Sequence, residues 1–270
     1  LISDRWVELF RRFNVNIGVS IDGPAHLNAD RIDRRGKAVN RAIEDGIHLL
    51  RTSGLHYSII AVVTPTSIHY PREVLSHLAS LAPVSIGFNF EELEAANVRA
   101  TGYTLELVEQ FWRTIWTESR RYPQVRIREL ARVAAYLTSP HAIKASKQLD
   151  LLPTISYTGD VILLSPEFAG VHAPAYHDFV VGNVRQRSLA EILRTGVEAA
   201  YVRHYTIGVN LCAQTCKYYD YCGGGHASNK YFENGTLIST LTNHCTYSRI
   251  EPLRQLIHLA TTNEEGALAP

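Results

Sequence analysis

All four cysteines of this 270-residue chain fall within one short segment near its carboxyl end. They are Cys212, Cys216, Cys222 and Cys245, with the spacing C-x3-C-x5-C-x22-C. Four thiolates are the usual ligand set of an iron–sulfur cluster or of a structural zinc ion. Zinc ribbons tend to pair two C-x2-C knuckles, so the uneven gaps favour an iron–sulfur cluster and leave zinc open. Two disulfides, or four inert core cysteines, fit this clustering less well.

Composition excludes several classes of function. A hydrophobic content of 46% and a charged content of 20% are typical of a globular domain. The net charge of +1 gives no general surface for nucleic acid. No apolar run could span a membrane and no signal peptide is seen, so we expect a cytoplasmic protein with reduced thiols. The sequence contains no methionine, so we expect a piece of a longer protein, or a sequence from which methionine positions were lost.

The first hundred residues alternate between amphipathic helices and apolar strands. This alternation predicts parallel strands joined by right-handed crossovers, with ligands at the carboxyl ends of the strands. The predicted helices are 1–13, 38–53 and 71–81, and the predicted strands are 15–21, 57–64 and 84–90.

The rest of the chain mixes helices with short strands. Residues 103–136 read as helical with a break at Pro123, and residues 153–164 as a hairpin that turns at Thr158-Gly159-Asp160. Further predicted elements are a strand within 178–184, a helix over 188–201 capped by Ser188, a hairpin over 231–238 and a helix over 249–261.

The run C-x3-C-x5-C-G-G-G followed by a distant cysteine resembles the SPASM domain of radical S-adenosylmethionine (radical SAM) peptide-modifying enzymes. The longer string C-K-Y-Y-D-Y-C-G-G-G-H-A-S-N-K-Y-F-E-N-G-T, ending T-N-H-C, is similar to the GRRM/FxsB-type maturases. The resemblance covers nearly the whole chain and is most specific at Cys212–Cys245, Ser165–Gly170 and Val19–Pro24. It implies an α/β fold in three parts. These are the C-terminal part of a partial (β/α)6 radical SAM barrel at 1–100, a helical bridge at 101–150, and a SPASM iron–sulfur domain with β-hairpins and a C-terminal helix at 151–270.

The resemblance also implies a cofactor edge in the barrel. Ser20 and Asp22 would lie beside the sulfonium of S-adenosylmethionine, and Arg31 would meet its carboxylate or ribose. Asn89 and Glu91, at the tip of the last strand, would face the same site. The structural alternatives are that Asp22 forms a turn and that Arg31 is a solvated loop charge.

In the cysteine-rich domain, the resemblance implies one auxiliary [4Fe–4S] cluster bound by Cys212, Cys216, Cys222 and Cys245. Relatives place further cysteines just after the hairpin and soon after C-G-G-G, where this chain has Ser165-Pro166-Glu167 and His226. His226 remains open as an additional ligand. Glu167 is the acid/base candidate, and its structural alternative is a residue that caps a turn.

The implied activity belongs to the full-length protein. S-adenosylmethionine and a second [4Fe–4S] cluster would generate a 5′-deoxyadenosyl radical, which takes hydrogen from a β-carbon of a ribosomally made precursor peptide. That carbon would join an aromatic ring two residues away, forming a three-residue cyclophane. The auxiliary cluster would accept the spare electron or hold the domain against the peptide, and flavodoxin or ferredoxin would supply electrons.

The catalytic-cluster motif of radical SAM enzymes, C-x3-C-x2-C, is missing from this sequence. Two other hypotheses therefore stay open. One is a non-catalytic iron–sulfur scaffold that binds a peptide, and the other is a zinc-stabilised structural module.

Overall fold

The computed structural model describes residues 2–94, 97, 103–139 and 151–262. The chain divides into two compact units, which are treated separately below. Unit 1 comprises Leu1–Glu91, Thr101–Ala134 and Glu251–Pro270, and unit 2 comprises Glu92–Ala100 and Ala135–Ile250. These bounds differ from the boundaries predicted at residues 100 and 150. The three family domains therefore stay a prediction.

Unit 1 is built on a four-stranded parallel sheet in the order β1-β2-β3-β4. The parallel α/β alternation predicted for the first hundred residues is confirmed. Apolar side chains of the crossover helices, such as Ile47, Leu50 and Leu75, are buried and form its core. The strands are β1 (Ile17–Ser20), β2 (Tyr57–Val63), β3 (Ser85–Phe90) and β4 (Arg126–Ile127), and the first helices are α1 (Asp4–Arg12), α2 (Asn40–Thr52) and α3 (Pro71–Ser80).

The predicted helical segment is two helices, α4 (Leu105–Ser119) and α5 (Arg128–Thr138), separated by β4. The aromatic side chains of α4 pack in the core: Trp112 and Phe111 meet Phe88 of β3 edge-on, with ring centroids 6.2 and 5.5 Å away. Trp116 donates from Nε1 to the carbonyl of Pro252 at 3.0 Å. The terminal helix, Glu251–Thr262, therefore belongs to unit 1 and not to the predicted domain 151–270.

Unit 2 contains a small antiparallel sheet of β5 (Thr154–Ile155), β6 (Asp160–Ile162) and β7 (Val180–Asn183). The hairpin predicted over 153–164 is confirmed. The core of the unit includes Phe168 and Phe179, whose rings stack with centroids 4.1 Å apart. The next helix, α6 (Leu189–Gly196), begins with a capping box in which Ser188 and Glu191 bond each other's backbone.

The remaining helices of unit 2 carry the cysteine segment. They are α7 (Ala200–Thr215), α8 (Tyr219–Cys222), α9 (Ala227–Asn234) and α10 (Asn243–Cys245). The hairpin predicted over 231–238 is wrong, because α9 extends to Asn234 and Gly235 ends it with φ of 68°. The Asn-Gly dipeptide readily adopts the left-handed backbone conformation that both a hairpin turn and a helix C-terminus require. The dipeptide alone therefore does not distinguish a hairpin from a helix end.

None of the helices in the described ranges is both long enough and apolar enough to cross a lipid bilayer.

Candidate functional site

Three helix ends bring the four cysteines of unit 2 to one cavity of about 200 Å³. Cys212 lies in the last turn of α7, and Cys216 is the residue at which that helix ends. Cys222 closes α8, where Gly223 adopts φ of 83°, a left-handed conformation that suits glycine. Cys245 closes α10, and its N–H donates to the side chain of Thr242 at 3.0 Å. The distant fourth cysteine therefore reaches the other three through a capped helical turn.

Backbone carbonyls surround the sulfur of Cys212. Its Sγ lies 3.6 Å from the carbonyl oxygen of Thr240 and 3.8 Å from that of Gly224. This close approach depends on Gly208, because a Cβ at that position would lie 2.2 Å from the carbonyl oxygen of Leu237. The backbone of α7 thus packs directly on the segment 237–240, and main-chain oxygens form one wall beside the cysteines.

The thiols influence one another's ionisation. A hydrogen bond with Cys222 raises the pKa of Cys245, and burial together with the other cysteines raises it further. Burial also raises the pKa of Cys212, while the ammonium of Lys230 acts in the opposite direction. A positive charge in the cavity would favour the thiolates, since coordinating thiols lose their protons to a bound metal.

The donor set suits a group held by four thiolates. The lining residues of the cavity described above include no carboxylate and no imidazole, and sulfur ligands select zinc, copper(I) or iron–sulfur clusters. Within the described ranges, no group of three or more His, Cys, Asp or Glu residues is arranged to hold a single metal ion. The structure therefore shows four thiols that converge on one cavity.

A larger cavity of about 590 Å³ lies next to the four thiols and shares Tyr219 and Cys222 with their cavity. Glu167 lines it, half-buried, and accepts a hydrogen bond from the hydroxyl of Ser165. His226 lines the same cavity. Ser165 and His226, which lie in the two regions where the family resemblance predicts additional cysteines, thus line the same cavity.

His226 is exposed, and its imidazole ring lies 4.6 Å from that of His244, with the two rings tilted by 32°. Its Nε2 lies 3.4 Å from Nη2 of Arg249. His226 is not among the residues that line the thiol cavity. Its role as an additional ligand stays a prediction.

Sequence reasoning missed a polar cluster that holds the last cysteine segment. Glu92 lies 2.9 Å from Nδ1 of His244 and accepts a hydrogen bond of 2.6 Å from Asn229. Burial raises the pKa of Glu92, but these two partners outweigh that effect and hold the pKa below its usual value. Asn229 and His244 lie 137 and 152 residues after Glu92 in the sequence. No local motif could therefore have revealed this cluster.

In unit 1, the structure joins two of the predicted cofactor residues to each other. The carboxylate of Asp22 accepts two hydrogen bonds from Arg31, at 2.7 and 2.8 Å, and a third at 2.8 Å from the N–H of Val62. Ser20 ends β1 and is exposed. Asp22 is thus more than a turn former, and Arg31 is more than a solvated loop charge, because the two side chains bind each other. Contact of Ser20, Asp22 or Arg31 with a cofactor stays a prediction.

The other two predicted residues lie at the end of β3. Asn89 accepts a hydrogen bond of 2.7 Å from Arg128, a residue that the sequence did not single out. Glu91 follows the strand, and its N–H donates to the carbonyl of Val63 at 3.0 Å. The strand register pairs Asn89 with Val62, so these residues occupy the carboxyl edge of the sheet. Their proposed contact with a cofactor stays a prediction as well.

Comparison with known proteins gives several relatives, although no protein-family model matches the chain. An uncharacterized protein of Synechocystis sp. is 32% identical over 264 residues, which cover 95% of this chain and 66% of that protein. The serine-type anaerobic sulfatase-maturating enzyme of Bacteroides thetaiotaomicron is 34% identical over 31% of this chain and 22% of its own length. The enzyme of the same name from Klebsiella aerogenes is 30% identical over 45% of this chain and 30% of its own length. The chain thus spans less than two thirds of these relatives.

Solved structures of the anaerobic sulfatase-maturating enzyme anSMEcpe have the same fold. The structure with bound S-adenosylmethionine has a TM-score of 0.73 at 16% identity, covering 98% of this chain and 74% of that one. A structure that also holds a peptide (Cp18Cys) has the same TM-score and coverage. The predicted fold class is confirmed. At 16% identity, this likeness shows the fold alone. Membership of the radical SAM/SPASM family and of its GRRM/FxsB-type subgroup stays a prediction.

Proposed function

We propose that the full-length protein is a radical SAM enzyme that modifies a ribosomally made precursor peptide, most specifically by forming a three-residue cyclophane. The observation that carries this proposal is the pair of adjoining cavities in unit 2. One is lined by the four cysteines, and the other holds the carboxylate of Glu167. The similarity to sulfatase-maturating enzymes supports a peptide as the substrate class.

Each cavity has its own task in this proposal. Cys212, Cys216, Cys222 and Cys245 would hold one auxiliary [4Fe–4S] cluster. The larger cavity would accept the part of the peptide that reacts, because its volume of about 590 Å³ lies in the range of about 300–1,000 Å³ typical of ligand sites. S-adenosylmethionine, with a second cluster in the full-length protein, would supply the radical that removes hydrogen from the peptide.

In this proposal, Glu167 accepts a proton. When a side-chain carbon joins an aromatic ring, the ring must release the hydrogen at the new bond to regain aromaticity. A carboxylate at the cavity wall can take that hydrogen as a proton, while the electron left on the ring would pass to the auxiliary cluster held by the four cysteines. The hydroxyl of Ser165 would orient the carboxylate through its hydrogen bond.

The proposal extends to the setting of the enzyme. Flavodoxin or ferredoxin is the expected electron donor and the cytoplasm the expected compartment, where the thiols stay reduced. At the carboxyl edge of the unit 1 sheet, Ser20, Asp22, Arg31, Asn89 and Glu91 are proposed to face S-adenosylmethionine.

The test is anaerobic incubation of the full-length protein with S-adenosylmethionine, a reductant and the small peptide encoded beside its gene. We expect 5′-deoxyadenosine and a peptide that has lost two hydrogen atoms, with fragmentation blocked between the two joined residues. Oxidation of a serine to an aldehyde loses the same two hydrogens, so a hydrazide reagent must be applied to the product. A hydrazide-reactive product, or turnover of a serine-containing sulfatase peptide alone, would favour oxidation of a serine over formation of a crosslink.

The variant Glu167→Gln separates the proton acceptor from the radical-generating parts. We expect crosslinking to fall by about 10²–10⁴-fold, the usual contribution of general acid–base catalysis, while 5′-deoxyadenosine formation continues. Ser165→Ala, which leaves the carboxylate in place, should reduce the rate less. Absence of 5′-deoxyadenosine from intact, iron-loaded protein would instead support the non-catalytic scaffold.

A further inference from the structure

Lys230 is fully buried on α9, with none of its surface exposed. Its Nζ lies 3.4 Å from Sγ of Cys212 and 3.5 Å from the carbonyl oxygen of Gly208, and it donates a further hydrogen bond to the carbonyl of Ser239. No carboxylate in the described ranges forms an ion pair with it. The ammonium therefore points at a cysteine and at neutral main-chain oxygens.

A buried ammonium without a counter-charge is costly, and buried charges in proteins are normally paired or coordinated to a metal. The partner available here is the sulfur of Cys212, which must be a thiolate to carry the opposite charge. Four thiolates outweigh the positive charge of an oxidised [4Fe–4S] core, so an assembly at this site is anionic. The buried cation and such an assembly would neutralise each other.

We propose that Lys230 is the countercation of the four-cysteine site, a positioning residue that holds Cys212 as a ligand and raises the reduction potential of the bound cluster. This inference rests on the cluster included in the proposed function. No motif of the sequence assigns this role to Lys230.

The direction of the effect follows from the charges that face the site. Reduction adds one electron to an anionic assembly, and a cation within hydrogen-bond distance of a ligand stabilises the added charge. The carbonyl oxygens of Gly224 and Thr240 point at the same sulfur and act in the opposite sense. Because Lys230 is buried, solvent and salt screen its charge far less than they would at the surface.

The test measures iron, sulfide and the midpoint potential of the full-length protein after anaerobic cluster assembly. The relevant redox component is the one that disappears in Cys222→Ala, which separates it from any other cluster in the chain. The potential is measured by titration with a chemical reductant, so that the readout does not depend on activity. Lys230→Met removes the charge, Lys230→Gln keeps a hydrogen-bond donor without the charge, and Lys230→Arg keeps the charge.

A matched control comes from the same segment. Lys217 directly follows Cys216, but its side chain is exposed and lies over the ring of Tyr218 at 5.1 Å. Lys217→Met removes the same charge from a solvated position. We expect a clear shift to lower potential in Lys230→Met and Lys230→Gln, a potential closer to wild type in Lys230→Arg, and almost no shift in Lys217→Met.

The outcomes separate this inference from the proposed function. If the wild-type protein binds zinc or no metal, the proposed cluster is wrong and this inference fails with it. If the cluster assembles and Lys230→Met and Lys217→Met have the same potential as the wild type, the inference alone is overturned. Should Lys230→Met not fold, Lys230→Gln and Lys230→Arg still decide the matter, because equal potentials in these two variants contradict a role for the charge.

Discussion

Two buried charges, one in each unit, differ in how the chain neutralises them. Asp22 has 8% of its side chain exposed, and it is matched by the guanidinium of Arg31 and by a backbone N–H. Lys230 is completely buried and faces a cysteine and main-chain carbonyls. The chain itself neutralises the first charge, whereas no carboxylate of the described residues forms an ion pair with the second. Under the proposal above, the group bound at the cysteines supplies that missing counter-charge.

The largest expected effect is the loss of the bound group on removal of a thiol. Cys222→Ala and Cys245→Ala should each abolish most of the iron and sulfide bound at this site, because the four thiols line one cavity. Iron and sulfide per chain after anaerobic assembly provide the measurement. Asp22→Asn serves as the comparison and should keep the iron content of the wild type. Unchanged iron in both cysteine variants would place the cluster elsewhere.

The next effect concerns the main-chain wall beside Cys212. Gly208→Ala places a Cβ 2.2 Å from the carbonyl oxygen of Leu237, so α7 must move away from that segment. We expect a loss of about 1–3 kcal/mol in the free energy of unfolding, as for other overpacked sites, together with weaker retention of iron. Gly18→Ala is the control, since nothing lies within 4 Å of a Cβ at that position. Equal stability of the two variants would show that α7 and the segment 237–240 can move apart at no cost in stability.

An effect of similar size should follow from breaking the pairing of Asp22 with Arg31 in unit 1. Asp22→Asn removes the charge that the side chain of Arg31 and the N–H of Val62 contact. Because a hydrogen bond to a charged group contributes about 1.5–3 kcal/mol, we expect the free energy of unfolding to fall by about that amount. Chemical denaturation gives the free energy of unfolding. Glu73→Gln is the control, because its exposed carboxylate lies 3.4 Å from the exposed His26 and surface pairs contribute about 0–1 kcal/mol. A loss no larger than that of the control would contradict the described pairing.

The smallest effect depends on pH. The hydrogen bonds from His244 and Asn229 hold the pKa of Glu92 below its usual value, so the folded state binds fewer protons there than the unfolded state. The stabilisation is therefore present above the ordinary pKa of a glutamate and is lost as the pH falls through the lowered value. Glu92→Gln should cost about 1 kcal/mol at neutral pH and less in acid.

Denaturation of Glu92→Gln at several pH values checks this expectation. Glu198→Gln provides the control, since that carboxylate is 77% exposed and lies 3.9 Å from Arg203. A pH-independent difference between Glu92→Gln and the wild type would mean that the carboxylate contributes by packing and not by its charge.

The sequence predicted the features that are written in local patterns. Cysteine spacing led to the thiol cavity, and the alternation of apolar strands with helices led to the parallel sheet. It could not predict pairings between distant residues: Asp22 and Arg31 were each singled out, but their mutual contact was not. Lys230 lies in a polar stretch of α9, and nothing in the sequence around it reveals its contacts with Gly208 and Cys212 of α7 and with Ser239. The role of Gly235 was misassigned because the same dipeptide serves two backbone geometries.

The wall of main-chain oxygens beside Cys212 has a consequence for how this protein can diverge. Carbonyl dipoles persist whatever side chains residues 238–240 carry, so those positions can change without altering the field at the sulfur. Variation that changes the character of the centre is therefore confined to a few places: the thiols, the lysine and the glycine that allows the two backbones to touch.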